Sequence, residues 1–395
     1  SPPAQSDSAA TAPAAAAAGP RSPLTLRRLS GDPCQAQRWC EQLAAHASTT
    51  QVLLLLAGTD TAAVPGISAA GATPQSRRLT AAADAELLLL GPGEPRAHAL
   101  PPLPAGVSPA LIAWVVVEQL GLDPLVVDAG AAVAPAVPHL RLGQQPARCL
   151  SSGAAMAPER VGQLLALGRR WGAQLVRGGR PVLLAECVPG GTSTAQAVLQ
   201  GLGVEAAGLV SGSLREPAHA LKQQMVAQGL AAAGLEPPAH PERVLAAVGD
   251  PMQALAAGVV QVAAGQELPL LLAGGSQMAA VLALALALSP AADRPRIAAW
   301  AALATTAWVA AERSSDLEQL LQRIGGRWQC DPLAFAAGLR FSSCTSPQLQ
   351  DFERGYVKEG VGAGGLAALW ELSGRSPEAL ALACDQACAR LLQAS

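Results

Sequence analysis

Residues 181–195, Pro-Val-Leu-Leu-Ala-Glu-Cys-Val-Pro-Gly-Gly-Thr-Ser-Thr-Ala, decide the fold. An apolar run bounded by a proline-glycine turn reads as a strand buried on both faces, the kind that a parallel sheet carries. Gly190 and Gly191 allow close backbone approach. Thr192 or Thr194 stands where a helix begins, to cap it or to bind a phosphate oxygen. One carboxylate, Glu186, closes the strand. In parallel sheets ligands collect at the carboxyl ends of strands, where the next helix turns free N–H groups and its positive dipole end toward an anion. The segment therefore predicts an anion site. It is neither a Walker A loop, since no lysine follows the glycines, nor a G-x-G-x-x-G fingerprint.

The same alternation runs along the chain. Upstream, residues 51–58 (QVLLLLAG) predict a strand feeding a long turn-rich loop, and 85–90 are a second apolar run. Residues 109–120 have helical spacing, 125–127 predict a short strand ending at Asp128, and 158–171 a helix. Downstream, a helix reaches Leu202, 207–210 predict a strand, and the turn Ser211-Gly212-Ser213 opens a helix carrying Lys222. Helices over 244–262, a strand at 268–273, a helix to Leu288 and a strand at 296–301 follow. Strands separated by helices imply parallel βαβ units. The predicted class is α/β: a mostly parallel, Rossmann-like sheet flanked by helices. A smaller, mainly helical subdomain is expected from the chain ends, with about 330–395 packing against the N-terminal part.

Half of the 395 residues are hydrophobic, enough for one large α/β core. The net charge of −2, with no basic block, argues against nucleic acid or an anionic membrane as partner. Residues 1–22 are Ala, Pro and Ser with few large hydrophobes and are expected to be a disordered tail. They lack the basic region and leucine-rich core of a secretory signal, which points to the cytoplasm. Residues 268–289 carry no charge over a bilayer-spanning length, but Gly274-Gly275-Ser276 interrupts them as a strand, a turn and a helix start, again a possible phosphate site. The eight cysteines are scattered, and Cys384 and Cys388 would share a helix face. The five histidines show no metal spacing, and no nucleophile elbow occurs. No metal or cofactor is expected.

A second carboxylate stands in a glycine-dense loop, Gly355-Tyr356-Val357-Lys358-Glu359-Gly360-Val361-Gly362-Ala363-Gly364-Gly365. Glu359 held away from water there would have a raised pKa and suit general-base work. Glu186 and Glu359 are both expected at strand ends beside glycines. Lys222 is placed to face an anion at the sheet edge.

These residues resemble the nicotinate-nucleotide–dimethylbenzimidazole phosphoribosyltransferases of cobalamin biosynthesis, in particular their cyanobacterial and archaeal relatives. Lys358-Glu359-Gly360-Val361-Gly362-Ala363 is similar to that family's E-G-x-G-A motif, whose Glu is the proposed base. Glu186 with Gly190, Gly191, Thr192 and Thr194 resembles its nucleotide-side segment G-E-M-G-I-G-N-T-T. Ser211-Gly212-Ser213 and Lys222 resemble its glycine turn and active-site lysine, and 244–260 its V-L-x-x-V-G-G-x-E-I-A-A helix region. The resemblance implies phosphoribosyl transfer from nicotinate mononucleotide to a nitrogen heterocycle, dimethylbenzimidazole or a purine, by a homodimer. Glu359 would be the base, and Glu186 would stabilise ribosyl charge or orient the nucleophile. Substrate contacts would come from Gly190, Gly191, Thr192, Thr194, Ser211, Gly212, Lys222, Gly274, Gly275, Gly360 and Gly362.

The chain also departs from that pattern. The Asn before the threonines is missing, Ala273 replaces an Asp before the glycine turn, and no S-A-E-P-G-H follows Trp308. Two other readings therefore stand beside the transferase: a nucleotide-binding sensor or inactive relative, and a nucleosidase that transfers to water.

Overall fold

A computed structural model describes residues 26–68, 70–143 and 145–394. The expected tail at 1–22 lies outside the described residues. Eight strands form one sheet: β1 Arg27–Ser30, β2 Gln51–Leu56, β3 Leu125–Asp128, β4 Leu140–Arg141, β5 Val182–Cys187, β6 Leu270–Ala273, β7 Ala301–Thr305 and β8 Ala334–Ala336. Their order is β1-β8-β7-β6-β5-β2-β3-β4, and every pair is parallel except β1 with β8.

Strand side chains alternate between two cores. Leu53, Leu55, Val182, Leu184, Leu270 and Leu272 join one, while Val52, Leu54, Leu183, Ala185, Leu271 and Ala273 join the other. With both faces buried, these strands carry almost nothing but apolar residues, as their sequence suggests. The first core is covered by α4 Pro158–Leu175, α5 Gly191–Gly201, α6 His219–Ala232, α7 Pro241–Val248, α8 Pro251–Ala263, α9 Ser276–Leu288 and α12 Leu317–Trp328. The second is covered by α1 Pro33–Ala45, α2 Pro74–Leu90, α3 Ala110–Leu120, α13 Pro347–Glu353, α14 Ala363–Leu372 and α15 Pro377–Ala394. Short helices α10 Arg294–Trp300 and α11 Ala307–Ala310 contribute to both.

Four sequence expectations need correction. Residues 207–210 are not a strand: Gly203 and Gly208 have positive φ, and β6 already occupies the place beside β5. Residues 296–301 are mostly α10, which Pro295 opens, and the strand is β7, one step later. The Ser211 turn does not open a helix directly, since α6 starts at His219. Glu359 is not at a strand end but on the loop before α14. The run at 85–90 is the last part of α2, and 268–289 resolve into β6, a turn and α9. Among the described residues no helix is long and apolar enough to cross a membrane. Cys384 and Cys388 are both buried on α15.

Helices α4 and α8 touch backbone to backbone. A Cβ on Gly168 would stand 2.2 Å from the Leu255 carbonyl oxygen, and one on Gly258 2.4 Å from that of Leu165. Gly168→Ala adds about 1 kcal/mol of helix propensity. Overpacking against rigid backbone costs about 1–3 kcal/mol, so a net loss of up to about 2 kcal/mol is expected. Urea unfolding measures it, and an unchanged midpoint would show that the helices separate freely.

From β2 the chain first builds outward to β3 and β4, then returns to β5 on the other side and continues through β8. The reversal of direction falls between β2 and β5, with Leu55 paired to Glu186. A crevice at the carboxyl ends of the strands is where such a sheet binds ligands.

Candidate active site

The crevice is there. A cavity with an empty volume of about 1140 Å³, including its open mouth, is lined by Glu186 and Cys187 from the end of β5. Elements from both faces of the sheet complete it. One wall comes from α2, the segment at 100–109 and the loop at 356–361. The other comes from the first residues of α5 and α9 and the turn at 211–213.

The second wall gathers the starts of two helices. Gly190, at φ +78°, turns the chain so that Gly191 and Thr192 start α5 at the cavity, and Gly275 and Ser276 do the same for α9. Two helix N-termini thus face one space. Lys222 is 1% exposed and stands behind this wall. Its ammonium donates to Thr192 Oγ1 at 3.0 Å and to the Ser211 carbonyl at 3.2 Å. Burial lowers its pKa to about 8, with Glu312 opposing. The Ser211 N–H donates to Ser276 Oγ at 2.9 Å, which ties the turn to α9.

The carboxylates differ in their partners. Glu359 Oε1 accepts from the N–H groups of Gly360 (3.1 Å) and Gly364 (3.0 Å), and Oε2 from Thr305 Oγ1 (2.9 Å) and the Thr306 N–H (3.1 Å). Burial raises its pKa and these four donors hold the rise back. Glu186 Oε2 accepts from the Val188 N–H at 3.1 Å. Burial first, then the charge of Glu359, pushes it up to about 8. Two close carboxyls in unequal surroundings titrate apart. At neutral pH Glu186 holds its proton.

The loop that presents Glu359 is strained. Val357, Lys358 and Val361 have φ of 63°, 74° and 53°, conformations that cost non-glycine residues on the order of 1–3 kcal/mol each. The surroundings hold it. Lys358 Nζ meets Glu312 Oε1 at 2.6 Å and the Leu214 carbonyl at 2.7 Å, both ion-pair side chains being buried. Thr306 Oγ1 donates to the Lys358 carbonyl at 2.5 Å, and the Val361 N–H to the Glu186 carbonyl at 2.9 Å.

Of the residues singled out in the sequence, Glu186, Gly190, Gly191, Thr192, Ser211, Gly212, Gly275, Glu359 and Gly360 line this one cavity. Four do not. Thr194 points inward, donating to Asp250 Oδ2 at 2.6 Å and the Gly191 carbonyl at 3.0 Å. Lys222 is screened by Thr192 and Ser211. Gly274 spends its N–H on the Ala304 carbonyl, and Gly362 (φ +73°) lies so close to Ala185 that a Cβ would meet it at 2.7 Å.

Ser276 of the Gly274-Gly275-Ser276 turn lines the cavity as well, while sequence reading missed Asp84, Ser108, Gln277 and Tyr356, which also line it. Asp84 left a signal: it and Glu86 are acids set in the apolar run AAADAELLLL of α2. Glu86 explains itself by accepting from the His98 N–H and ring and from the Ala136 N–H, which fastens two loops. Among the described residues no group of three or more acidic, His or Cys side chains is arranged to hold a metal.

Two helix N-termini and two carboxyls share one cavity at the switch point of a parallel sheet, and the comparisons define the class. Residues 110–312 match the model described as phosphoribosyltransferase, and the chain belongs to that family. The chain is 51% identical over 394 residues to a UPF0284 protein of Parasynechococcus marenigrum (strain WH8102), covering 94% of this chain and 98% of the relative. It is 45% identical to a UPF0284 protein of Gloeobacter violaceus, covering 93% and 96%. Among solved structures, CobT from Thermus thermophilus has a TM-score of 0.54 at 19% identity, over 89% of this chain and 95% of that one. A structure from the same organism, described as its nicotinate-nucleotide-dimethylbenzimidazole phosphoribosyltransferase, has a TM-score of 0.55 at 19% identity, over 94% and 95%. At that identity the likeness is one of fold.

Proposed function

We propose that this protein transfers the phosphoribosyl group of nicotinate mononucleotide to a nitrogen heterocycle serving as a lower-ligand base in cobalamin biosynthesis. The observation that carries the reading is the split cavity. Two helix N-termini and two carboxyls with unequal hydrogen-bond partners share one space, and the reaction needs both a hold on phosphate and a proton acceptor.

The phosphate sits against the N-termini of α5 and α9, with Thr192 and Ser211 beside it and the charge of Lys222 behind. A heterocycle nitrogen attacks ribosyl C1. The C1–N bond to nicotinate breaks, and its electron pair returns to the pyridinium ring, so departure needs no acid. The attacking heterocycle's N–H proton passes to Glu359. Thr305 Oγ1 and the Thr306 N–H donate to the oxygen atom they share, and the hydroxyl can rotate away as the proton arrives. Neutral Glu186 orients the incoming ring by hydrogen bonding. Glu359 also offsets positive charge as it develops at C1. Holding both reactants in line supplies much of the remaining rate. The same reading takes the acting unit as a cytoplasmic homodimer, as the resemblance implies.

The four donors on Glu359 favour a second reading, a nucleotide binder without turnover, because a carboxylate has about four acceptor positions and all are filled. Nicotinate release from nicotinate mononucleotide, measured with dimethylbenzimidazole, with adenine and with no base, separates the readings. Base-dependent release is expected. Release without base would make the protein a nucleosidase, and silence with bound nucleotide a sensor.

A further inference from the structure

We propose that Asp84 selects the acceptor: it requires a heterocycle that carries an amino group or ring N–H on the edge away from its reacting nitrogen. The inference rests on the phosphoribosyl-transfer reading above and names the substrate class within it.

Asp84 projects from α2 into the cavity on the wall opposite the two helix N-termini, and only 5% of it is exposed. The same wall carries Leu100, Pro101, Leu103 and Pro104, with Thr80 and Ser108 as its polar members beside Asp84. Such a slot fits the flat faces of a fused ring. The carboxylate of Asp84 on this wall sets the polar requirement at the ring's far edge. Ser108 Oγ donates to Oδ1 at 2.6 Å, and the Cys187 thiol, a weak donor, to Oδ2 at 3.3 Å. That leaves acceptor capacity unused. Burial pushes Asp84 up to about 6, so at neutral pH it is charged and can only accept.

Cys187 places Asp84 near the reacting centre: it follows Glu186 in β5, and after burial and the charge of Glu359 the charge of Asp84 helps to raise the Glu186 carboxyl. A bicyclic heterocycle with its attacking nitrogen toward Glu186 and Glu359 lays its far edge toward Asp84. A 6-aminopurine brings an N–H donor to that carboxylate. Dimethylbenzimidazole brings methyl groups and strips water from a charged oxygen without replacing it. Sites that hydrogen-bond a substrate N–H discriminate strongly against analogues that lack it, because their own buried group is left unpaired.

The test compares kcat/KM for adenine, unsubstituted purine and dimethylbenzimidazole in wild type, Asp84→Asn and Asp84→Leu. Wild type is expected to favour adenine over both by at least about thirtyfold, from roughly 2 kcal/mol of discrimination. Asp84→Leu should bring the adenine-to-dimethylbenzimidazole ratio to within about threefold of one or invert it. Each ratio is taken within one enzyme, so a general loss of activity in a variant does not alter it. Equal use of the three bases by wild type, or a ratio unchanged in Asp84→Leu, overturns the proposal. If no base supports nicotinate release, the transferase reading fails by itself. Calorimetric binding of adenine against purine to wild type and Asp84→Asn then decides the question: tighter adenine binding lost in the variant supports selection by Asp84, and equal binding refutes it.

Discussion

Glu359→Gln is expected to lower base-dependent nicotinate release by two to four orders of magnitude, the range associated with loss of a positioned general base. The amide cannot take a proton, and it also disturbs the cradle. Both carboxylate oxygens face donors: Gly360 and Gly364 N–H on one side, Thr305 Oγ1 and Thr306 N–H on the other. Whichever way the amide turns, its NH₂ meets an N–H, although Thr305 can reverse its hydroxyl to accept. A stability loss of about 1–3 kcal/mol accompanies the change. Rates should therefore be taken well below the variant's Tm, with circular dichroism as the control for folding. Release within fivefold of wild type by a folded Glu359→Gln would remove this residue from the proton-transfer step.

The second large effect is one of pH. Glu186 holds its proton in the folded protein up to about 8, whereas an unfolded glutamate releases it near 4.5. Between those values the folded state binds the additional proton. Stability is therefore fully present below the unfolded pKa and falls as pH rises through the folded one, by up to about 1.4 kcal/mol per pH unit and on the order of a few kcal/mol in all. Glu186→Gln is neutral throughout and lacks this decline. Asp84 and Asp250, pushed up to about 6, and Glu371, pushed up to about 7, add declines common to both proteins. Urea midpoints should find the variant close to wild type at pH 5 and clearly more stable at pH 9. The alkaline limb of wild-type kcat/KM near pH 8 should also move in the variant. Parallel stability curves would mean that Glu186 is not held neutral.

The alternation of strand and helix was legible because buried parallel strands are apolar throughout and glycine turns separate them from their helices. Two strands were misplaced for a related reason. Residues 207–210 and 296–301 are apolar enough for a strand, but glycines at positive φ and the place already taken by β6 exclude the first, and the helix that Pro295 opens takes up most of the second. Glu186, Glu359 and the turns at 190–192 and 275 could be found as glycine-flanked polar residues. Asp84 left only the trace of an acid in an apolar run, and Ser108 left none, because α2 and the segment before α3 reach the cavity by crossing the opposite face of the sheet. Thr194 and Gly362 show the converse. They belong to the right motifs and serve packing, since a motif's residues alternate between ligand and support.

The cavity's two walls rise from opposite faces of the sheet and so from separate hydrophobic cores. Repacking around α2 and α3 can reshape one wall while α5 and α9 keep their positions on the other. A lineage carrying this fold can therefore exchange the molecule it modifies without rebuilding its hold on the group it transfers. New preferences are expected to accumulate in α2 and the segment at 100–109, with the glycine turns of the opposite wall left as they are.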